Sequence, residues 1–271
     1  MITFEEFITV MSTGVVRNAL IVGALLSVTA ALLGVVLVLK RYAMIGDGLS
    51  HVTFGAMAIA VALHKAPLGF SLPIVVLSAF LLLRISEASK VSGDAAVAVV
   101  STVSLAIGAI AARGTNTDIE SFMFGSIVSI TTSDVILTVV LSLLVIGVYI
   151  LFYPRIFACT FDETYAQASG GRPALYRAMI AVMTAVTVVL GMRLVGSLLI
   201  SALIIFPVLS AMRLVKSFRA VVILSAVFSV VSFILALVIS ILFSTSTSAC
   251  IVLADLVIFV CSIIFSKVKT A

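Results

Sequence analysis

Residues 17–51 read RNALIVGALLSVTAALLGVVLVLKRYAMIGDGLSH. From 17 to 39 the run is apolar, with its only charge, Arg17, at the edge and no proline. At about 1.5 Å of rise per residue, a helix of that length crosses a hydrocarbon core of about 30 Å. Lys40 and Arg41 end the run. A second apolar run then opens and carries an acid and an imidazole, Asp47 and His51.

The same alternation continues along the chain. Of its 271 residues 63% are hydrophobic and only 10% charged, and the mean hydropathy is +1.40. Soluble domains carry about a quarter charged residues, and a chain of this size cannot bury so much apolar surface in one aqueous core. Lipid must be the outer solvent. Apolar blocks at 17–39, 45–63, 69–84, 94–112, 134–153, 173–192, 195–212, 220–243 and 249–266 predict an all-α, polytopic transmembrane bundle of about eight or nine spans, forming one domain over 1–271. The third block is short, and Pro67 and Gly69 read as the break before it. Alternating strand patterns of about ten residues are absent, which argues against a β-barrel. Glu5 and Glu6 stand where a cleavable signal would be basic.

Orientation follows from Lys and Arg. With the N-terminus outside and the C-terminus cytoplasmic, Lys40, Arg41, Arg84, Lys90, Arg155, Arg172, Arg177, Arg213, Lys216, Arg219, Lys267 and Lys269 face inward, whereas Arg17, Lys65, Arg113 and Arg193 face outward. The net charge of +5 is therefore a topology signal, and nucleic acid is not an expected partner. The outer segment 113–133, containing SFMFGSIVSI, reads as a re-entrant or surface helix, shielded by protein. The inner loop 154–172 contains FDETYAQASGG, a short helix opened by Asp162 and Glu163 and stopped by Gly170 and Gly171. It serves as a plain connector or as a docking peg for a cytoplasmic protein. No GxxxxGK[ST] loop occurs, so ATP hydrolysis by that route is not expected here. Cys159, Cys250 and Cys261 are scattered and read as small apolar fillers.

Ionisable residues within spans carry a functional suspicion, because an acid at a helix centre costs about 2.5–3.5 kcal/mol. Asp47 and His51 are four apart and share a helix face, with Ser50 bordering it. Carboxylate and imidazole together suit Mn, Fe or Zn. One pair is too few ligands for a strong site, and a two-fold partner would supply a second pair. The alternative is structural: Asp47 stabilises the positive end of the helix dipole and His51 pairs with it. A hydrolytic pairing of Ser50 with His51 is excluded, since adjacent helix residues diverge, and His64 lies at the outer mouth. Asp255 reads as a buried, hydrogen-bonded carboxylate. The outer acids Asp118, Glu120 and Asp134 read as solvated groups, with cation attraction or partner docking as the other reading.

KRYAMIGDGLSH resembles the signature R-x-x-x-x-G-D-x-L-S/A-H of the zinc/manganese/iron class of ABC importer permeases. FMFGSI, TFDETYAQASG, LVGSLLISALIIFPVLSA and SACIVL match further motifs in order, over nearly the whole chain. The resemblance implies a type II ABC importer-like permease of a bacterial inner membrane. It implies two permease copies as a homodimer, cytoplasmic ABC ATPase subunits and an extracytoplasmic metal-binding protein as partners. It assigns Asp47 and His51 to the passing metal, with no permanently bound cofactor. Phe161, Asp162, Glu163, Ala166 and Gly170 fall in its ATPase-coupling segment, and Gly196 and Pro207 match backbone features of the seventh span. Gly55 replaces a common proline, which puts a local helix break in doubt, and STSTSA replaces an acidic or proline-bearing rim before the last span. IGDGLS and VGSLLI echo each other, as inverted repeats would.

These expectations describe a transport subunit rather than an enzyme, importing Zn, Mn or Fe. Its rivals are a secondary cation transporter using Asp47 and Asp255 as a relay, an ABC permease for metal chelates, and a scaffold without transport.

Overall fold

The structure, a computed structural model, describes residues 13–88, 93–113, 125, 131–243 and 245–270. Among them the chain is helical: α1 (Gly14–Leu39), α2 (Met44–Ala62), α3 (Pro67–Ala88), α4 (Gly93–Ala112), α5 (Thr132–Leu151), α6 (Tyr153–Phe161), α7 (Glu163–Ala168), α8 (Pro173–Val195), α9 (Ser197–Leu214), α10 (Phe218–Phe243) and α11 (Thr247–Thr270). Eight of these are long and apolar enough to cross a bilayer, and the apolar α9 is shorter. The expected segment 113–133 falls almost wholly outside the described residues, as do Glu5, Glu6, Lys90, Asp118 and Glu120.

Burial divides the helices into an inner and an outer set. In α1 and α2 72% of the most apolar window is buried, and in α8 67%, against 22% in α3, α4 and α11. The outer helices expose Leu77, Ile110, Leu151 and Phe265 by two thirds or more. In a membrane those side chains meet lipid at no hydrophobic cost, so exposure here is the solvent's signature and not a defect.

Without a strong hydrophobic drive between helices in lipid, close association depends on small residues. A Cβ on Gly34 of α1 would stand 2.2 Å from the Ile204 carbonyl oxygen of α9, and one on Gly55 of α2 would stand 2.7 Å from the Ser104 carbonyl oxygen of α4. Both contacts are with backbone, which cannot rotate aside. Gly55 thus lets α4 lie against α2, and α2 runs unbroken through it. Two turns earlier in α1, Ser229 of α10 donates to the Ser27 carbonyl at 3.0 Å.

Three sequence readings change. Pro67 does not break a helix but begins α3, where its missing N–H is unpaired in any case and its fixed φ fits the first turn; Gly69 and Pro73 lie inside that helix. Asp134 is buried instead of solvated: Thr131 caps α5 by accepting from the Asp134 N–H, and Asp134 Oδ2 accepts from the Thr131 N–H at 3.1 Å. The inner loop holds two helices rather than one, because Pro154 in the first turn starts α6 and Asp162 separates it from α7.

Candidate functional site

The α1–α2 turn places the first candidate pair. Arg41 adopts a left-handed φ of 60°, and the Tyr42 N–H bonds back to the Leu37 carbonyl at 2.7 Å. The chain reverses there and α2 starts at Met44, putting Asp47 in the first turn. His51 Nε2 lies 3.5 Å from Asp47 Oδ2, as the spacing of four requires. The other oxygen, Oδ1, accepts a 3.1 Å hydrogen bond from Ser201 of α9. Although α2 is an inner helix, the Asp47 side chain is 35% exposed and that of His51 21%. Ser201 also lines a groove of about 690 Å³ between α9 and α11, walled by Ala202, Phe206, Ser248 and Val252.

Ser50 does not share this face. It is fully buried and donates to the backbone carbonyl of Asp47 at 2.7 Å, so the third polar group at the pair comes from α9 instead. Ser201 was hidden from any local reading, since it lies 154 residues away. One signal pointed there: when IGDGLS is laid on VGSLLI, the position after each motif is His51 in one and Ser201 in the other. α9 starts immediately after Gly196, whose φ of 97° ends α8, and it continues through Pro207.

Chemically, the pair offers carboxylate oxygens and an imidazole nitrogen on a partly exposed face; of the three polar groups that meet here, Ser201 is the one that lines the groove. Among the described residues, no three His, Cys, Asp or Glu side chains come together in a way that could hold a metal ion. The pair is therefore open and offers few ligands.

The second candidate region lies at the end of the bundle where α1 stops and α8 begins. Asp162 caps α7 by accepting the Tyr165 N–H at 2.9 Å. Glu163 accepts from Lys40 Nζ of α1 on one oxygen and from Arg177 Nη1 of α8 on the other, the latter at 2.6 Å. Ala166 is buried in a small cluster with Cys159 and Tyr176, and Gly170 takes a φ of 81° where the chain leaves α7. Four of the five expected coupling residues therefore cap, tether, pack or turn the segment. Phe161 differs: it is 60% exposed and joins Phe157 and Phe218 in an aromatic cluster. Tyr165, which the motif reading passed over, is 65% exposed on the same segment.

Asp255 is 1% exposed on α11; it interacts with Ser232 of α10, and its Oδ2 has no hydrogen-bond partner among the described residues. It does not line the groove, although it follows Ser248 and Val252 along the same face of α11. Cys159 is buried, Cys250 half-buried and Cys261 exposed, and none is in a disulfide. Burial pushes the Cys159 thiol up, which fits a filler and not a reactive group.

Comparison with known proteins adds the following. Residues 12–266 match the model of the ABC 3 transport family. The manganese import system permease protein ScaB of Streptococcus gordonii is 25% identical over 248 residues, covering 91% of this chain and 89% of that protein. The high-affinity zinc uptake system membrane protein ZnuB of Haemophilus influenzae is 26% identical over 202 residues, covering 73% of this chain and 77% of its own length. Among solved structures, PsaBC from Streptococcus pneumoniae in complex with Fab superposes with a TM-score of 0.86 at 25% identity, covering 96% of this chain and 95% of that one.

Proposed function

Given that the chain belongs to the ABC 3 transport family, we propose that it is the permease of an ATP-driven importer for a divalent transition metal, zinc, manganese or iron. The observation that carries this reading is the Asp47–His51 pair. It lies on an inner helix, is partly exposed, and is tied by Ser201 to the wall of the groove between α9 and α11. A carboxylate and an imidazole suit such ions, and a small ligand number suits a site that must also release its cargo. A second permease copy adds its own Asp47 and His51 across a two-fold axis, so a homodimer completes the path.

ATP hydrolysis belongs to cytoplasmic subunits that dock on residues 161–170, with Phe161 and Tyr165 as the exposed anchors. An extracytoplasmic protein delivers the metal at the opposite end. The complex sits in a bacterial inner membrane with the N-terminus outside, as the charge bias favours. The relatives support the substrate class: one is named for manganese import and one for zinc uptake.

The test is metal uptake by the assembled complex in proteoliposomes. Asp47→Ala and His51→Ala should each abolish uptake of Zn²⁺ and Mn²⁺ while the ATPase still co-purifies. Normal uptake by either variant ends the assignment of that residue.

A further inference from the structure

The Lys40 side chain joins two elements that stand 123 residues apart in the chain. Its ammonium meets one oxygen of Glu163, and the Arg177 guanidinium meets the other, so each carboxylate oxygen has its own cation. Glu163 is the first residue of α7, fixed in place by the Asp162 cap. Lys40 is held as firmly. Its backbone N–H closes the end of α1 on the Val36 carbonyl at 3.0 Å, and its side chain is only 15% exposed, lining a cavity together with Leu37, Ile45 and Ile156.

Between Lys40 and the candidate metal pair there is one tight turn. The Arg41 N–H bonds to Val38, the Tyr42 N–H to Leu37, and the Ile45 N–H to Tyr42, at 3.1, 2.7 and 3.0 Å. A short turn held by three backbone hydrogen bonds is a stiff link between the two helices. Asp47 then follows within the first turn of α2. Arg177 ties the same carboxylate to α8, which packs on α2 and α9 but carries neither Asp47, His51 nor Ser201, so the route through Lys40 is the direct one along the chain. The three charged side chains are partly exposed, so the pairs contribute little to stability. A carboxylate gripped from two sides fixes geometry instead, and a contiguous network of that kind is what coupling between distant sites needs.

We propose that Lys40 is the positioning residue through which movement of α7 reaches Asp47 and His51, with Glu163 as its grip on α7 and Arg177 as a static anchor to α8. The proposal rests on the reading of residues 161–170 as the ATPase-docking segment.

The full complex, in proteoliposomes with its ATPase and binding protein, provides the test. The measurements are ATPase co-purification, ATP hydrolysis, and uptake of Mn²⁺ or Zn²⁺ per ATP hydrolysed. Lys40→Met should keep the ATPase bound and hydrolysing while uptake per ATP falls about tenfold. Glu163→Gln, which preserves shape, should show the same fall even if Lys40→Met assembles poorly. Lys40→Arg should restore the ratio, and Arg177→Met should leave it unchanged. The proposal is overturned if Lys40→Met and Glu163→Gln keep the wild-type ratio, or if Arg177→Met lowers it equally, since the triad is then only a tether for α7. The docking reading has its own control: if the double variant Phe161→Ala/Tyr165→Ala still retains the ATPase, that reading fails whatever Lys40 does.

Discussion

Ser201 of α9 donates a hydrogen bond of 3.1 Å to Oδ1 of Asp47 on α2, while Asp47 Oδ2 faces His51 Nε2 at 3.5 Å. One carboxylate is thus held by two helices, and its aim depends on how α2 and α9 sit together. A hydrogen bond to a charged acceptor contributes about 1.5–3 kcal/mol when buried and less when water competes, as it does at this partly exposed side chain. Ser201→Ala should therefore lower the initial rate of metal uptake roughly three- to tenfold without reducing the amount of assembled complex. An unchanged rate would remove α9 from the site.

Gly34 decides whether that two-helix arrangement can form. The missing Cβ lets the Ile204 carbonyl of α9 approach α1 to a distance that a methyl group would share at 2.2 Å. Gly34→Ala must separate the two backbones, at a cost of about 1–3 kcal/mol for overpacking. It should lower the Tm of the detergent-solubilised protein by several degrees and impair uptake, since Ser201 moves with α9. Gly147 of α5 is the control, with nothing within 4 Å of its Cβ position. Gly147→Ala should be neutral or mildly stabilising, because Ala loses less conformational entropy in a helix. Equal effects at both positions would refute the close-packing account.

The bundle and the Asp47–His51 pair were legible because both depend on local pattern. Apolar run length sets a span, and a spacing of four puts two side chains on one face. Ser201 was not legible, since its meeting with Asp47 is a long-range contact of the kind that only packing creates. Ser50 misled for a related reason: a helical serine can turn its hydroxyl back to its own helix carbonyl, and Ser50 does so. Asp134 carried a local signal that was passed over, a Thr three residues before an acid at the head of an apolar run, which is a capping pattern. In the segment expected to couple to an ATPase the motif located the helix. It did not separate Asp162, Glu163, Ala166 and Gly170, which build it, from Phe161 and Tyr165, which it presents outward.

Asp255 separates an ATP-driven permease from a secondary transporter. It is buried on α11 against Ser232 and carries an unpartnered Oδ2. A relay role requires the group to gain and lose a proton, whereas a packing role requires only its shape and one hydrogen bond. Asp255→Asn keeps the shape and a hydrogen-bonding group while removing the titration. Uptake by this variant should stay within about twofold of the parent, and Asp255→Leu, which puts an apolar side chain of different shape where the buried carboxyl packs, should lower the Tm by several degrees. A loss of uptake greater than tenfold in Asp255→Asn, with the complex intact, would favour the relay.

Orientation is the remaining link between the site and its partners, and single cysteines can read it. Lys40, Glu163 and Arg177 meet at one end of the bundle, so α7 and the start of α8 share a side with the break between α1 and α2. His64 and Lys65 lie beyond the far end of α2. The charge bias favours the cytoplasm for the first end. In inside-out vesicles Thr164→Cys, on the exposed face of α7, should react with a membrane-impermeant maleimide, and Lys65→Cys should not; right-side-out vesicles should reverse the result. Cys250, half-buried near the start of α11, is first replaced by serine, and the other two native cysteines give a low background. Cys159 is buried, and burial pushes its thiol up, so the reactive thiolate is scarce at neutral pH and increases only as the pH is raised. Cys261 is exposed on α11 beside Val257, Val260 and Ile264, where lipid excludes a charged reagent. Labelling of Lys65→Cys from the cytoplasmic face would invert the topology and with it the assignment of α7 to the ATPase.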